Sequence, residues 1–509
     1  MVQMRKWRPL LDLDADGAGQ KASYRKIVDG LANAIRSGRL EPGAALPGTR
    51  ELADILDVNR KTVILAYEEA IIKGWLVSEP RRGTFVNALF ADHTTTSANM
   101  VQSKRTAGIS ESEAFAPDFL APALPPYFDD LYVPAVRAGR TRETMYFDNG
   151  APDHRLLPQA VLHRYYRNAM KAAFKSSWVK YGNLESAAQL RTALAEMLRA
   201  TRGLTAGASN ICLTQGTQMA LHLAAGALIR PGDVVLVERL SYPPAWAIFR
   251  ALGAQIEVID VDSDGCRVDQ IETLCLKKPV RLIYLTPHHQ FPTTVSLRAD
   301  RRQKLLALAQ QHGFTIIEED YDHEYHFEGR PYLPLASDAG QRSVIYIGSL
   351  SKLLGSSFRC GFIVAPENLI EALGKNQLLI STHGDAVMQK MLADLIANGE
   401  LRKHLRRAAK LYRARKDALM QSLHARFGER ITLRNPEGGL ALWVTFREDI
   451  DVDAMMRRAA DEQLFVRSGR QFSPLDQPVN GLRLGFASMT PDELAQAVGR
   501  LHEASRRQA

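Results

Sequence analysis

Residues 344–361 read Val344-Ile-Tyr-Ile-Gly-Ser-Leu-Ser-Lys-Leu-Leu-Gly-Ser-Ser-Phe-Arg-Cys-Gly361. The β-branched and aromatic run Val344 to Ile347 predicts a buried strand, with Gly348 expected to break it. Ser349-Leu-Ser-Lys352 follows, and Arg359 stands seven residues beyond the lysine. A lysine just past a buried strand is withdrawn from water, which disfavours its ammonium and leaves a nucleophilic amine. The hydroxyls of Ser349 and Ser351 and the guanidinium of Arg359 are the groups a phosphate ester needs. Together they point to pyridoxal phosphate, held on Lys352 as a Schiff base. The plainer reading is a surface lysine and arginine on a loop, so the rest of the chain has to decide.

The chain has 509 residues, too many for one core, and two or three domains are expected. With 46% hydrophobic and 24% charged residues it has the composition of an ordinary globular protein. No apolar run approaches the ~18 residues that cross a bilayer, so no membrane partner is expected. Met1-Val-Gln-Met-Arg-Lys-Trp7 lacks the apolar segment of a secretory signal. Cys212, Cys266, Cys275 and Cys360 show neither paired nor metal-ligand spacing. A reducing cytoplasm and no metal site are therefore expected. The net charge of +9 permits a nucleic-acid partner without requiring one.

Near the N-terminus Ile27, Leu31, Ala34 and Ile35 recur at helical spacing before Gly38. Leu46-Pro-Gly-Thr-Arg-Glu-Leu-Ala-Asp-Ile-Leu56 predicts a second, short helix with Thr49 as N-cap. After the turn Asp57-Val58, Asn59 is placed to cap a third helix that buries Val63, Ala66, Tyr67, Ala70 and Ile71 and closes at Gly74. This is the outline of a helix-turn-helix. Trp75-Leu-Val and Gly83-Thr-Phe-Val86, around Pro80-Arg81-Arg82, add a two-stranded wing. Arg60 and Lys61 sit in the first turn of the third helix and Arg50 at the start of the second. The backbone dipole already makes those ends positive, so cations there are unfavourable unless an anion arrives. A DNA phosphate is such an anion, and the first turn of a recognition helix faces base edges.

This stretch, over residues 22–87, resembles the GntR-type winged helix. The matching residues are Leu46-Pro-Gly-Thr-Arg50, Leu52-Ala53, Val58-Asn-Arg-Lys-Thr-Val63, Ala66-Tyr67 and Gly83-Thr-Phe-Val86. The resemblance implies double-stranded DNA as partner, contacted by Arg50, Asn59, Arg60, Lys61, Thr62, Arg81, Arg82 and Thr84. Residues 1–87 are read as this domain. Residues 88–145 lose periodicity, becoming first polar and then proline-rich, and are read as a linker.

From 146 onward strands and helices alternate. Ile211-Cys-Leu-Thr-Gln-Gly-Thr217 reads as strand, turn and helix start, so the backbone at Gly216 and Thr217 forms an anion site. Val234 to Glu238, Leu282 to Thr286 and Phe314 to Asp322 are further strands, and Tyr242 follows the first of these in a loop where its ring could stack. Such alternation predicts an α/β fold with a mainly parallel sheet and ligands at the strands' C-terminal ends. Glu318-Glu-Asp-Tyr-Asp322 places acid at a buried strand end, which is costly unless a cation such as a protonated pyridine nitrogen meets it.

Residues 146–509 resemble the fold-type I aminotransferases, and the whole chain resembles the MocR/GabR family of pyridoxal-phosphate-dependent regulators. The order of motifs carries this: Tyr181-Gly182, Gly216-Thr-Gln218, His289-Gln-Phe-Pro-Thr293, Glu318 to Asp322, Ser349-Leu-Ser-Lys352, Arg359 and Gly481-Leu-Arg-Leu-Gly-Phe486. The resemblance implies an internal aldimine at Lys352, with Gln215, Gly216, Thr217, Ser349 and Arg359 on the phosphate and Tyr242 on the ring. It implies Tyr321 on the phenolic oxygen and Arg483 on the carboxylate of an amino acid. Tyr181 would reach the phosphate across a head-to-tail homodimer. Where the family has Asp beneath the pyridine nitrogen, the register places Glu319, leaving Glu319 and Asp320 as candidates. Where it usually has Gly, this chain has Thr294, strained if that position needs a positive φ.

Leu401 to Leu423 is expected to be a basic, solvated helix, with a second DNA-contacting face as the alternative. Gly438 to Val444 and Leu482 to Phe486 are expected to pair in a smaller domain, and Pro491 to Ala504 to form a final helix. The function implied is a transcriptional regulator that senses an amino acid, an amine or the cofactor itself through Lys352, without physiological turnover. The alternatives are a working aminotransferase that carries a DNA-binding domain, and a domain without cofactor that only dimerises.

Overall fold

The computed structural model describes residues 7–11, 24–80, 82–88, 144–175, 185–328, 332–338, 343–381 and 384–506. Tyr181, Arg81 and nearly all of the expected linker lie outside them. The chain divides into two compact units, 1–122 and 123–509.

In the first unit the helices Tyr24–Arg36, Thr49–Leu56 and Arg60–Ile72 enclose Ile27, Leu31, Leu52, Val63, Ala66 and Tyr67. The antiparallel hairpin Leu76–Glu79 with Gly83–Val86 follows. Asn59 caps the third helix, its side chain accepting from the Lys61 N–H at 2.9 Å. Gly74, at φ +77, follows the last helical turn. Two details differ from expectation. Thr49 is the first helical residue and Gly48, in extended conformation, is the cap without any side-chain bond. Its carbonyl already accepts the first helical hydrogen bond, from Leu52. Ile71 is half-buried, because the third helix turns its last residues outward.

The second unit is built on a seven-stranded sheet. In spatial order its strands are Ile211–Thr214, Gly361–Val364, Val344–Ser349, Thr315–Asp320, Val280–Leu285, Val234–Glu238 and Gln255–Ile259. All are parallel except Gly361–Val364, which runs against both neighbours. Its central strands are buried on both faces, as helix-covered parallel strands are. The parallel strands' C-terminal ends lie together, and the candidate site residues follow them.

Gly348 does not break its strand, which runs on through Ser349. A Cβ there would lie 2.3 Å from Phe362 Cζ, so the glycine lets the antiparallel neighbour approach. Met145 to Phe147, at the expected domain edge, form a strand parallel to Leu464–Val466. Ala441–Phe446 pairs antiparallel with Gly481–Gly485, the pairing expected from the sequence. The basic helix, Glu400–Phe427, is only partly solvated. Arg415 is buried on Asp153 at 2.8 Å and Lys416 is buried on Asn435 at 2.5 Å, so neither serves a second DNA-contacting face. A helix that packs against the domain must carry its cations inward where buried acceptors wait for them. No helix among the described residues is long and apolar enough to cross a membrane.

Candidate functional site

A cavity of ≈ 280 Å³ opens where the strand ends meet. Of the sequence-predicted residues it brings together Thr217, Tyr242, Glu319, Tyr321, Ser349, Lys352 and Arg359. Lys352 is the second residue of the short helical turn Ser351–Leu354 that follows the Val344–Ser349 strand, and its Nζ donates to the Gly150 carbonyl at 2.7 Å. Burial holds this amine below the ordinary lysine range, with the Asp148 charge pulling the other way. It is the desolvated amine that the sequence pattern required.

Glu319 and Asp320 part company because side chains alternate across a strand. Glu319 turns into the cavity, 5% exposed, and accepts from the Tyr284 hydroxyl at 2.5 Å. Burial pushes its carboxyl up to about 7, against the pull of Tyr284 and Lys352. Asp320 turns to the opposite face, where it accepts from Tyr346 at 2.8 Å and pairs with His323 at 3.0 Å. Burial opposes its charge, yet His323 and Arg202 hold it well below the usual carboxylate range. The expectation that Asp320 belongs to the cofactor site is therefore corrected: the pleat aims it away. Tyr321, two residues past Glu319 and on its side, donates to the His289 carbonyl at 3.0 Å.

Arg359 bonds the Gln215 carbonyl at 2.6 Å and itself has φ +43. Gly216, at φ +92, lies beneath it, and a Cβ there would fall 3.0 Å from Arg359 Nη2. Only glycine leaves the guanidinium and the following helix N-terminus open to one anion. Gln215 and Gly216 stand at this end without lining the cavity wall. Arg483 is fully buried and does not line the cavity; it donates to the Pro292 carbonyl at 2.8 Å and to the hydroxyl of the lining Tyr321 at 3.3 Å.

The cavity also has residues that the sequence reading did not assign: Asn149, Gln218, Tyr284, Thr286, Phe291 and Ser356. Tyr284 and Thr286 fall inside a run read only as strand, where the period-two alternation was the available signal. Asn149 comes from a turn far away in sequence, with nothing local to mark it. Amine, carboxylate, phenol, aromatic face and guanidinium therefore converge on one hollow, a donor set that fits pyridoxal phosphate.

In the first unit Arg50, Asn59, Arg60, Lys61 and Arg82 are exposed, while Thr62 and Thr84 are half-buried. Arg60 Nε donates to Thr49 Oγ1 at 3.3 Å, joining the N-terminal ends of the second and third helices. Arg82 pairs with Glu79 across the wing turn at 2.5 Å.

Residues 145–501 match the model of aminotransferase class I and II, and residues 23–86 that of the bacterial regulatory proteins, gntR family. The chain is 29% identical to the probable rhizopine catabolism regulatory protein MocR of Rhizobium meliloti, over 97% of this chain and 95% of that one. It is 28% identical to the HTH-type transcriptional regulator TauR of Rhodobacter capsulatus, over 96% and 97%. Among solved structures, the kynurenine aminotransferase of Pyrococcus horikoshii aligns with a TM-score of 0.67 at 27% identity, over 72% of this chain and 91% of that one. The α-aminoadipate aminotransferase LysN of Thermus thermophilus, complexed with N-(5'-phosphopyridoxyl)-L-leucine, aligns with a TM-score of 0.68 at 25% identity, over 78% and 98%. The chain belongs to the aminotransferase class I and II family, in the MocR/GabR-type form that carries a GntR winged helix at its N-terminal end.

Proposed function

We propose that this protein is a transcriptional regulator whose winged helix binds double-stranded DNA and whose aminotransferase-like unit binds pyridoxal phosphate to sense an amine, an amino acid or the cofactor itself. One observation carries the sensing half: the half-buried Lys352 amine shares a cavity with Glu319 and Arg359. The exposed cations at two helix N-termini carry the DNA half. The named regulators similar over nearly the whole chain support the reading.

Pyridoxal phosphate, when bound, supplies an aldehyde carbon that can exchange one amine for another. Lys352 is the amine of this chain that would hold it. Arg359, Ser349 and the Gly216–Thr217 backbone would hold the phosphate, and the Tyr242 face would cover the ring. Glu319, already inclined to carry a proton, would share one with the ring nitrogen. Tyr321 would turn its hydroxyl proton from the His289 carbonyl to the phenolic oxygen, and Arg483 beside it would receive an effector carboxylate in bidentate fashion. A head-to-tail homodimer, with Tyr181 contributed across the interface, belongs to the same proposal.

An effector must bind two conformations unequally to alter operator affinity, by roughly 1–3 kcal/mol of coupling. Lys352→Ala should abolish the effector response and the visible absorbance of the bound cofactor while operator binding survives. A response that persists in this variant rejects the mechanism. A working aminotransferase is the second reading, favoured by the buried Arg483 next to Tyr321. Steady-state turnover of an amino acid with a 2-oxo acid would establish it.

A further inference from the structure

Behind the cofactor cavity, two loops meet that follow the adjacent parallel strands Val280–Leu285 and Thr315–Asp320. The first loop contributes His288 and His289, and the second His323 and His326. Their rings gather closely: His288 lies 4.2 Å from His289 and 4.7 Å from His323, centroid to centroid. One nitrogen each from His288, His289 and His326 lie within 4.8 Å of one another. His323 Nδ1 instead lies 3.0 Å from the Asp320 carboxylate.

His288 and His289 are 5% and 2% exposed. Neither ring nitrogen of His288 has a hydrogen-bond partner among the described residues, nor has Nε2 of His289. Unmatched buried polar nitrogens cost ~1–3 kcal/mol each, so three of them are hard to explain as core packing. His289 Nδ1, by contrast, is 2.7 Å from Asp322 Oδ1. A carboxylate in that place fixes the Nδ1–H tautomer and leaves the Nε2 lone pair for a ligand, the arrangement that orients a metal-binding histidine. His326 is half-buried and lines a second cavity, of ≈ 670 Å³, with His323, Glu324 and Arg402. That cavity gives an entry path and room for a further ligand.

We propose that His288, His289 and His326 bind a late first-row divalent cation of the zinc or nickel class, with Asp322 orienting His289. Three imidazoles are the donors such ions take, whereas calcium and magnesium prefer sets of oxygen ligands. Nitrogens 2.0–2.1 Å from a tetrahedral zinc stand about 3.4 Å apart, so binding draws the most separated nitrogens together by up to ~1.4 Å. The site shares no residue with the cofactor cavity and does not depend on the proposed regulatory function. It does abut that cavity, because the His289 carbonyl accepts from Tyr321.

The test is a cobalt(II) titration of the tag-free, full-length, cofactor-loaded protein after chelator treatment, followed by visible d–d absorption and zinc competition. One cobalt per chain, displaced by zinc, is expected. His326→Gln and His288→Asn should each weaken binding at least tenfold, and Asp322→Asn by about 10–100-fold. The far-UV circular dichroism and thermal midpoint of metal-free His326→Gln should match those of the metal-free parent, which establishes that this half-buried variant still folds. Absence of a d–d band, or a band of equal affinity in His326→Gln, overturns the proposal and leaves the cluster as stacked, hydrated core histidines.

Discussion

Gly348 and Phe362 face each other across antiparallel strands with no room for a methyl group between them: a Cβ on the glycine would lie 2.3 Å from the ring's Cζ. The contact sits just before Ser349 and Lys352, so it sets where the amine emerges. Gly348→Ala should destabilise the second unit by ~1–3 kcal/mol through overpacking. Urea unfolding measures that, and Phe362→Leu in the same chain should recover part of it.

Glu238 is buried at the end of its strand, and burial pushes its carboxyl up to about 8, against hydrogen bonds from Gln290 and Thr286. Its folded pKa lies above the ordinary carboxyl value of 4.5, so the folded state binds the extra proton. Its contribution is fully present below the unfolded pKa and is lost as pH rises through about 8. Glu238→Gln should therefore raise stability near pH ~8.5, by on the order of a few kcal/mol, and change it little near pH ~4. Chemical denaturation at both pH values checks the sign.

Lys61 is exposed in the first turn of the third helix. If it meets a phosphate, Lys61→Ala should weaken operator and unrelated DNA alike and reduce the slope of log K against log salt by about 0.9. Fluorescence anisotropy across a salt series reads this. An unchanged slope removes Lys61 from the interface.

Arg415 pairs with Asp153 at 2.8 Å, both buried. Arg415→Met leaves a buried carboxylate with one cation fewer and should cost roughly 3 kcal/mol, visible as a lower Tm.

Thr294 holds φ +64, a conformation that a β-branched residue adopts only under strain. Thr294→Gly should stabilise the fold by about 1 kcal/mol, measured by thermal unfolding.

Much of this molecule was legible before any coordinates. The alternation of β-branched runs with helical spacing located the parallel strands, and the Ser349-Leu-Ser-Lys352 stretch located the amine, because local pattern decides both. Capping chemistry located Asn59 for the same reason. What stayed hidden depends on neighbours distant in sequence. Gly348 looked like a strand breaker until Phe362 stood opposite it. The choice between Glu319 and Asp320 needed the strand's phase relative to the cavity. Arg415 looked solvated because its acceptor, Asp153, lies far back along the chain. His288, His289 and His326 carry no motif spacing, since two separate loops have to meet before they form a cluster.

The phase of the Thr315–Asp320 strand has one more consequence. Asp320, buried on the face away from the cavity, anchors the histidine side of the sheet, while Glu319 faces the cavity, and the pleat locks one to the other. An insertion or deletion of a single residue upstream in that strand would exchange the two faces at once, and neither half would survive it.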